Sequence, residues 1–222
     1  MNGQVFETSK NERTAASILS WIFHPILMVS YASALYFVAF PYIRITANTE
    51  RVQLMLLMIL LLTFFLPGLS TFIMFRRGRL SQMQLGERKE RLFPLVYTAI
   101  IYMIALFMIR GKGFPGFIEV FLLGSIASLL LASVINFRVK VSLHALGIGG
   151  LAGGMLAAYL HLQHGNLWIL ALIFLLCGMI GTARLVLHAH RPGEIYLGLL
   201  SGFCIEFCAV FFLAFGRLEF LS

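Results

Sequence analysis

The chain has 222 residues, 60% of them hydrophobic and 12% charged, with a mean hydropathy of +0.92. Soluble domains carry about 25% charged residues, so the composition excludes a soluble globular enzyme and fits an all-α, polytopic transmembrane helical bundle. The net charge of +8 favours anionic membrane lipids and phosphate as partners over nucleic acid, since so apolar a chain has no separate basic domain to offer.

Residues 1–15 read as a polar tail, and 16–222 as a single transmembrane domain. Ala16 to about Ile43 is long enough to cross a bilayer, with His24-Pro25 marking a kink. A polar loop from Arg44 to Arg51 leads to a second span, Gln53 to about Phe75. Arg76, Arg77 and Arg79 then read as headgroup anchors, and Glu87-Arg88-Lys89-Glu90-Arg91 forms a first charged knot. Leu95–Ile109 is a third span, followed by turn residues at 111–116 and a fourth span, Phe117–Phe137. Arg138 to His144 is a second polar knot. Ala145–Leu160, rich in Gly and Ala, is a fifth span suited to close helix packing. His161–Gly165 reads as a solvated loop, Leu167 to about Leu187 as the sixth span and Ile195–Phe215 as the seventh. The expectation is about six to seven spans. Each knot follows an even-numbered span, so all three fall on the face that holds the N-terminus.

The third knot, between Ala183 and Gly198, puts two arginines, two histidines and a glutamate at a membrane boundary. Ionisable groups at that depth are costly and mark function by default. Pro192 suits a first helical turn, and Glu194 then sits where the helix dipole favours an acid. His190 and Glu194 are four apart, so the carboxylate reaches one imidazole nitrogen, fixes the tautomer and makes the other nitrogen more basic. Arg184 in the third knot, Ser142, His144 and Lys140 in the second, and Arg88 and Arg91 in the first complete an inventory for phosphoryl chemistry. Guanidinium groups hold phosphate oxygens bidentately, a carboxylate-held histidine attacks phosphorus, and a second histidine protonates the leaving oxygen. Lys140 and Arg138 equally suit headgroup anchoring. Cys177, Cys204 and Cys208 lack metal or disulfide spacing, and no metal or cofactor is expected. The six histidines also admit a bis-histidine haem protein, which a colourless preparation would exclude. Glu206, deep in the seventh span, lines a cavity or bonds a neighbouring helix.

The third knot resembles the third motif of the type 2 phosphatidic acid phosphatase superfamily, the integral-membrane lipid phosphatases. In that motif Ser-Arg, five residues, His, three residues and Asp follow in order. Here Arg184, His190 and Glu194 take those places, with Ala183 for the serine, Glu194 for the aspartate, and Pro192 and Gly198 where the family often has proline and glycine. Ser142 and His144 match the second motif, Pro-Ser-Gly-His, with Val141 and Leu143 at the proline and glycine places. The first motif is the poorest match: Arg91 and Pro94 are present, while Gln84 stands where a lysine is usual. The resemblance covers roughly residues 85–200. It implies a phosphatase acting on a lipid phosphate or pyrophosphate, with His190 as the nucleophile oriented by Glu194 and His144 as the general acid. Arg184, Arg91, Ser142 and Arg88 would hold the phosphate. A lipid-phosphate binder or transporter on the same scaffold is the second reading. A bacterial inner membrane is the expected location. Of the 17 basic residues, 12 fall on the N-terminal face by the crossing count, which taken alone puts the site in the cytoplasm, but with about half of those 12 placed for substrate the two faces are nearly level. Many members of the superfamily work on the external face.

Overall fold

The structure is a computed structural model that describes residues 9–46, 48–80 and 90–214. Those residues form helices and no strands, and seven helical segments are long and apolar enough to cross a membrane. This is an integral, multi-pass membrane protein.

The first span consists of α1 (Lys10–Ile22), a 3₁₀ turn at Pro25–Leu27 and α2 (Met28–Ala39). The helix begins at Lys10, inside the stretch expected to be a tail. Ser9 and Glu12 form a capping box: Ser9 Oγ accepts from the Glu12 amide at 3.2 Å and Glu12 Oε2 accepts from the Ser9 amide at 2.8 Å. Short α3 (Pro41–Thr46) leads to α4 (Thr49–Leu60), capped by Asn48. A π turn and α5 (Leu66–Arg76) complete the second span. The single helices α6 (Leu92–Ile109), α7 (Gly116–Ile135), α8 (Leu143–Leu162) and α9 (Leu167–Val186) follow, and α10 (Pro192–Ala209) runs on into a π turn ending at Ala214.

Helix α8 is the axis of the bundle and the most enclosed of the spans. Lipid tails are as apolar as leucine, so helices in a membrane associate through close packing and polar contacts. The α8–α10 seam takes this to the limit. A Cβ on Gly149 or Gly153 would strike the carbonyl of Leu199 or Phe203, and one on Gly198 would lie 2.7 Å from the Ser142 carbonyl. Gly202 faces the Leu146 carbonyl in the same way. Glycines spaced by four on both helices thus press the two backbones together. That register fixes the start of α8 against the start of α10, where the second and third knots lie. Helix α1 packs against α9, with Ala16 and Ser20 facing inward.

Candidate functional site

The third knot is a tight reversal between α9 and α10. The Ala189 amide closes the end of α9 on the Arg184 carbonyl at 3.1 Å, and His188 takes a left-handed φ of 49°. That conformation turns the chain back toward the bundle and leaves the His188 side chain exposed. Arg191 then caps α10, Pro192 occupies its first turn, and Glu194 sits where the free amides lie. Glu194 Oε2 accepts from the Arg191 amide at 3.3 Å and from His190 Nδ1 at 2.8 Å. A carboxylate can only accept here, so Nδ1 carries the proton and the lone pair of the His190 ring lies on Nε2. His190 Nε2 has no hydrogen-bond partner among the described residues.

The second knot is tied to the third through backbone. The Ser142 amide donates to the Glu194 carbonyl at 3.2 Å, and Ser142 Oγ caps α8 by accepting from Ala145 at 3.4 Å. Ser142 is fully buried; its hydroxyl serves the cap. Two residues on, His144 Nε2 donates to the Ser20 carbonyl at 3.0 Å, which leaves the lone pair of the neutral ring on Nδ1. Arg91, from the first knot, donates through Nη1 to the Val141 carbonyl at 3.0 Å. Arg184 donates through Nη1 to Ser20 Oγ at 3.3 Å, and its buried Nε has no partner among the described residues.

The charges act on one another. Burial lowers the Arg91 guanidinium to about 10, Arg184 pushes it the same way, and Glu194 opposes both. Burial likewise lowers His190 to about 4 against its ordinary 6.5, with Arg91 and Arg184 adding to the drop and the Glu194 hydrogen bond and charge resisting it. Arg184 and His190 also lie within electrostatic range of His144. One buried pocket of field therefore contains Arg91, His144, Arg184, His190 and Glu194, drawn from α6, α8, α9 and α10 and the turns before them. At neutral pH His190 is an uncharged imidazole with an open nitrogen, and two arginines supply the local positive charge.

Of the residues expected at the site, those five and Ser142 are brought together. Lys140 lies half-buried just outside, in the turn before α8. Arg88 lies outside the described residues. Two groups were not anticipated. Ser20 joins Arg184 to His144 across 164 and 124 residues of sequence. His24 sets its ring edge-on to that of His144, with centroids 5.5 Å apart. The signal that could have found Ser20 is its spacing from Ala16, which puts both on one inward face of α1; His24 lies past the end of that helix, extended before Pro25, and carries no such signal. His161 also departs from expectation: it is helical, and its Nε2 donates to the Phe211 carbonyl at 2.9 Å, where the π turn at the end of α10 frees backbone acceptors.

The chain matches no model of a known protein family, no curated protein and no solved structure.

Proposed function

We propose that the protein is a membrane phosphatase that cleaves a lipid phosphate or pyrophosphate through a phosphohistidine. The observation that carries this reading is His190. Its Nδ1–H is held by Glu194 at 2.8 Å, its Nε2 is unpartnered among the described residues, and Arg184 beside it keeps a buried, unsatisfied Nε–H. Such a pairing orients a nucleophile and opposes the loss of basicity that burial imposes on its open nitrogen. Buried guanidinium donors without acceptors are suited to the equatorial oxygens of a transferring phosphoryl group.

The reaction has two steps. The Nε2 lone pair of His190 forms a bond to phosphorus while the bond from phosphorus to the lipid oxygen breaks. His144 must first take up a proton on Nδ1, the nitrogen not committed to Ser20, and it then gives that proton to the departing oxygen. Water then attacks the phosphohistidine, passing a proton to His144 Nδ1, and the P–N bond breaks to release phosphate and restore His190. Arg91 and Arg184 hold the phosphoryl oxygens through both steps, and Ser142 and Glu194 keep α8 and α10 in register. The resemblance of the three knots to the lipid phosphatase motifs supports the same reading, and a bacterial inner membrane is the location we propose with it.

The test is release of inorganic phosphate from short-chain phosphatidate and prenyl pyrophosphate by the purified protein. Arg184→Ala is expected to weaken release about a hundredfold, the effect of losing one donor to a developing charge. His190→Ala is expected to abolish it. Release by His190→Ala at the wild-type rate would defeat the proposal.

A further inference from the structure

Beneath the site a cavity of about 410 Å³ runs from Trp21 and His24 into the middle of the bundle, between six of the seven spans, and reaches Glu206. Its size falls in the range of about 300–1,000 Å³ typical of small-molecule sites. The wall is mostly apolar, as a slot for a hydrocarbon chain would be, but two polar groups in it each keep a buried atom with no hydrogen-bond partner among the described residues. Glu206 is 2% exposed; its Oε1 accepts from Ser125 Oγ at 2.8 Å, while Oε2 has no partner among the described residues. The carboxyl is seated by missing side chains. A Cβ on Gly124 would overlap Oε2, and one on Gly150 would come within 3.0 Å of Glu206 Cγ.

Ser128, one turn along α7 from Gly124, is the second group. Elsewhere in the spans Ser33, Thr63, Ser133, Thr182 and Ser201 turn their hydroxyls back to the carbonyl four residues earlier. This is how a hydroxyl is satisfied inside a membrane helix. Ser128 does not do so, and its Oγ is buried without a partner among the described residues. A buried polar atom without a partner is costly, and in native structures it marks strain, a functional role or a group from outside the chain that completes it.

We propose that this cavity binds a long-chain alcohol, its hydrocarbon chain along the apolar wall and its hydroxyl between Glu206 Oε2 and Ser128 Oγ. A hydroxyl offers one donor and two lone pairs, enough to meet a carboxyl oxygen and a serine hydroxyl together. An ammonium brings three donors to two vacant atoms and leaves one unsatisfied against apolar wall. The proposal rests on the cavity and these two atoms, independently of the phosphatase reading.

The test is photolabelling of the full-length protein in lipid nanodiscs. The probes are a diazirine-bearing fatty alcohol, the matching hydrocarbon without the hydroxyl, and the matching amine, with labelled positions mapped by peptide mass spectrometry. The alcohol is expected to label residues 121–129 and 199–210 saturably, at about tenfold lower concentration than the hydrocarbon, a factor worth about 1.4 kcal/mol. Glu206→Leu and Ser128→Ala should each bring the alcohol to the level of the hydrocarbon and leave labelling by the hydrocarbon unchanged. If Glu206→Leu does not fold, Ser128→Ala alone decides. Equal labelling by alcohol and hydrocarbon, labels outside the cavity, or preference for the amine would overturn the proposal.

Discussion

Helix α10 carries two carboxyl groups, Glu194 in its first turn and Glu206 twelve residues later. The first meets a histidine, a backbone amide and, nearby, two arginines; the second meets one serine hydroxyl and otherwise apolar wall. The same side chain on the same helix therefore serves two kinds of chemistry. At the membrane boundary it organises charge around an open imidazole nitrogen. In the middle of the bundle one of its oxygens takes the Ser125 hydroxyl, and the other has no partner among the described residues, at the wall of an apolar cavity. What differs is what the neighbouring helices place opposite it.

The contrast breaks most sharply at the proposed nucleophile. His190→Ala should lower phosphate release by about a thousandfold or more, since removing a covalent nucleophile costs far more than removing an orienting group; steady-state phosphate assays read this directly. Glu194→Gln keeps an acceptor for Nδ1–H but drops the charge, and a loss of about tenfold to a hundredfold is expected. A loss as large as that of His190→Ala would mean that the acid does more than orient the ring.

One part of the pH dependence follows from His190. Its folded value of about 4 lies below the ordinary 6.5, so between these values the unfolded chain binds a proton that the folded one refuses. Stability should fall as pH drops from 6.5 toward 4, and this group should contribute no slope above 6.5. Melting curves of the wild type and His190→Asn across that window should converge as the pH falls, because the variant lacks this loss. The acid limb of the rate should likewise lie near 4 rather than near 6.5. The smallest effect belongs to the other end of α10: Glu206→Gln should leave phosphate release within about twofold of wild type, because it touches neither phosphate nor His190. A large drop there would merge the two regions into one site.

How much of this was legible in the chain depends on distance along it. The spans are written in runs of apolar residues, and the His190–Glu194 pair in a four-residue spacing, because both are local. The Gly-rich character of α8 announced close packing, but not that Gly198 and Gly202 on α10 would complete the seam, since only tertiary contact selects the partner. Ser20 is an unremarkable serine in an apolar run until Arg184 and His144 arrive from far along the chain. Glu206 and Ser125 are 81 residues apart, beyond any local spacing. The early start of α1 was written in Ser9 and Glu12, a capping box that the polar composition around it masked.

In the proposed reaction phosphorus becomes bonded to His190. The most direct measurement is intact-mass and peptide analysis of the protein denatured at alkaline pH within moments of mixing with lipid phosphate, conditions under which a phosphoryl–imidazole bond survives. The account requires a single phosphoryl adduct on the peptide containing His190, absent from His190→Ala. Phosphate release without that adduct, or an adduct that persists in the variant, would contradict it.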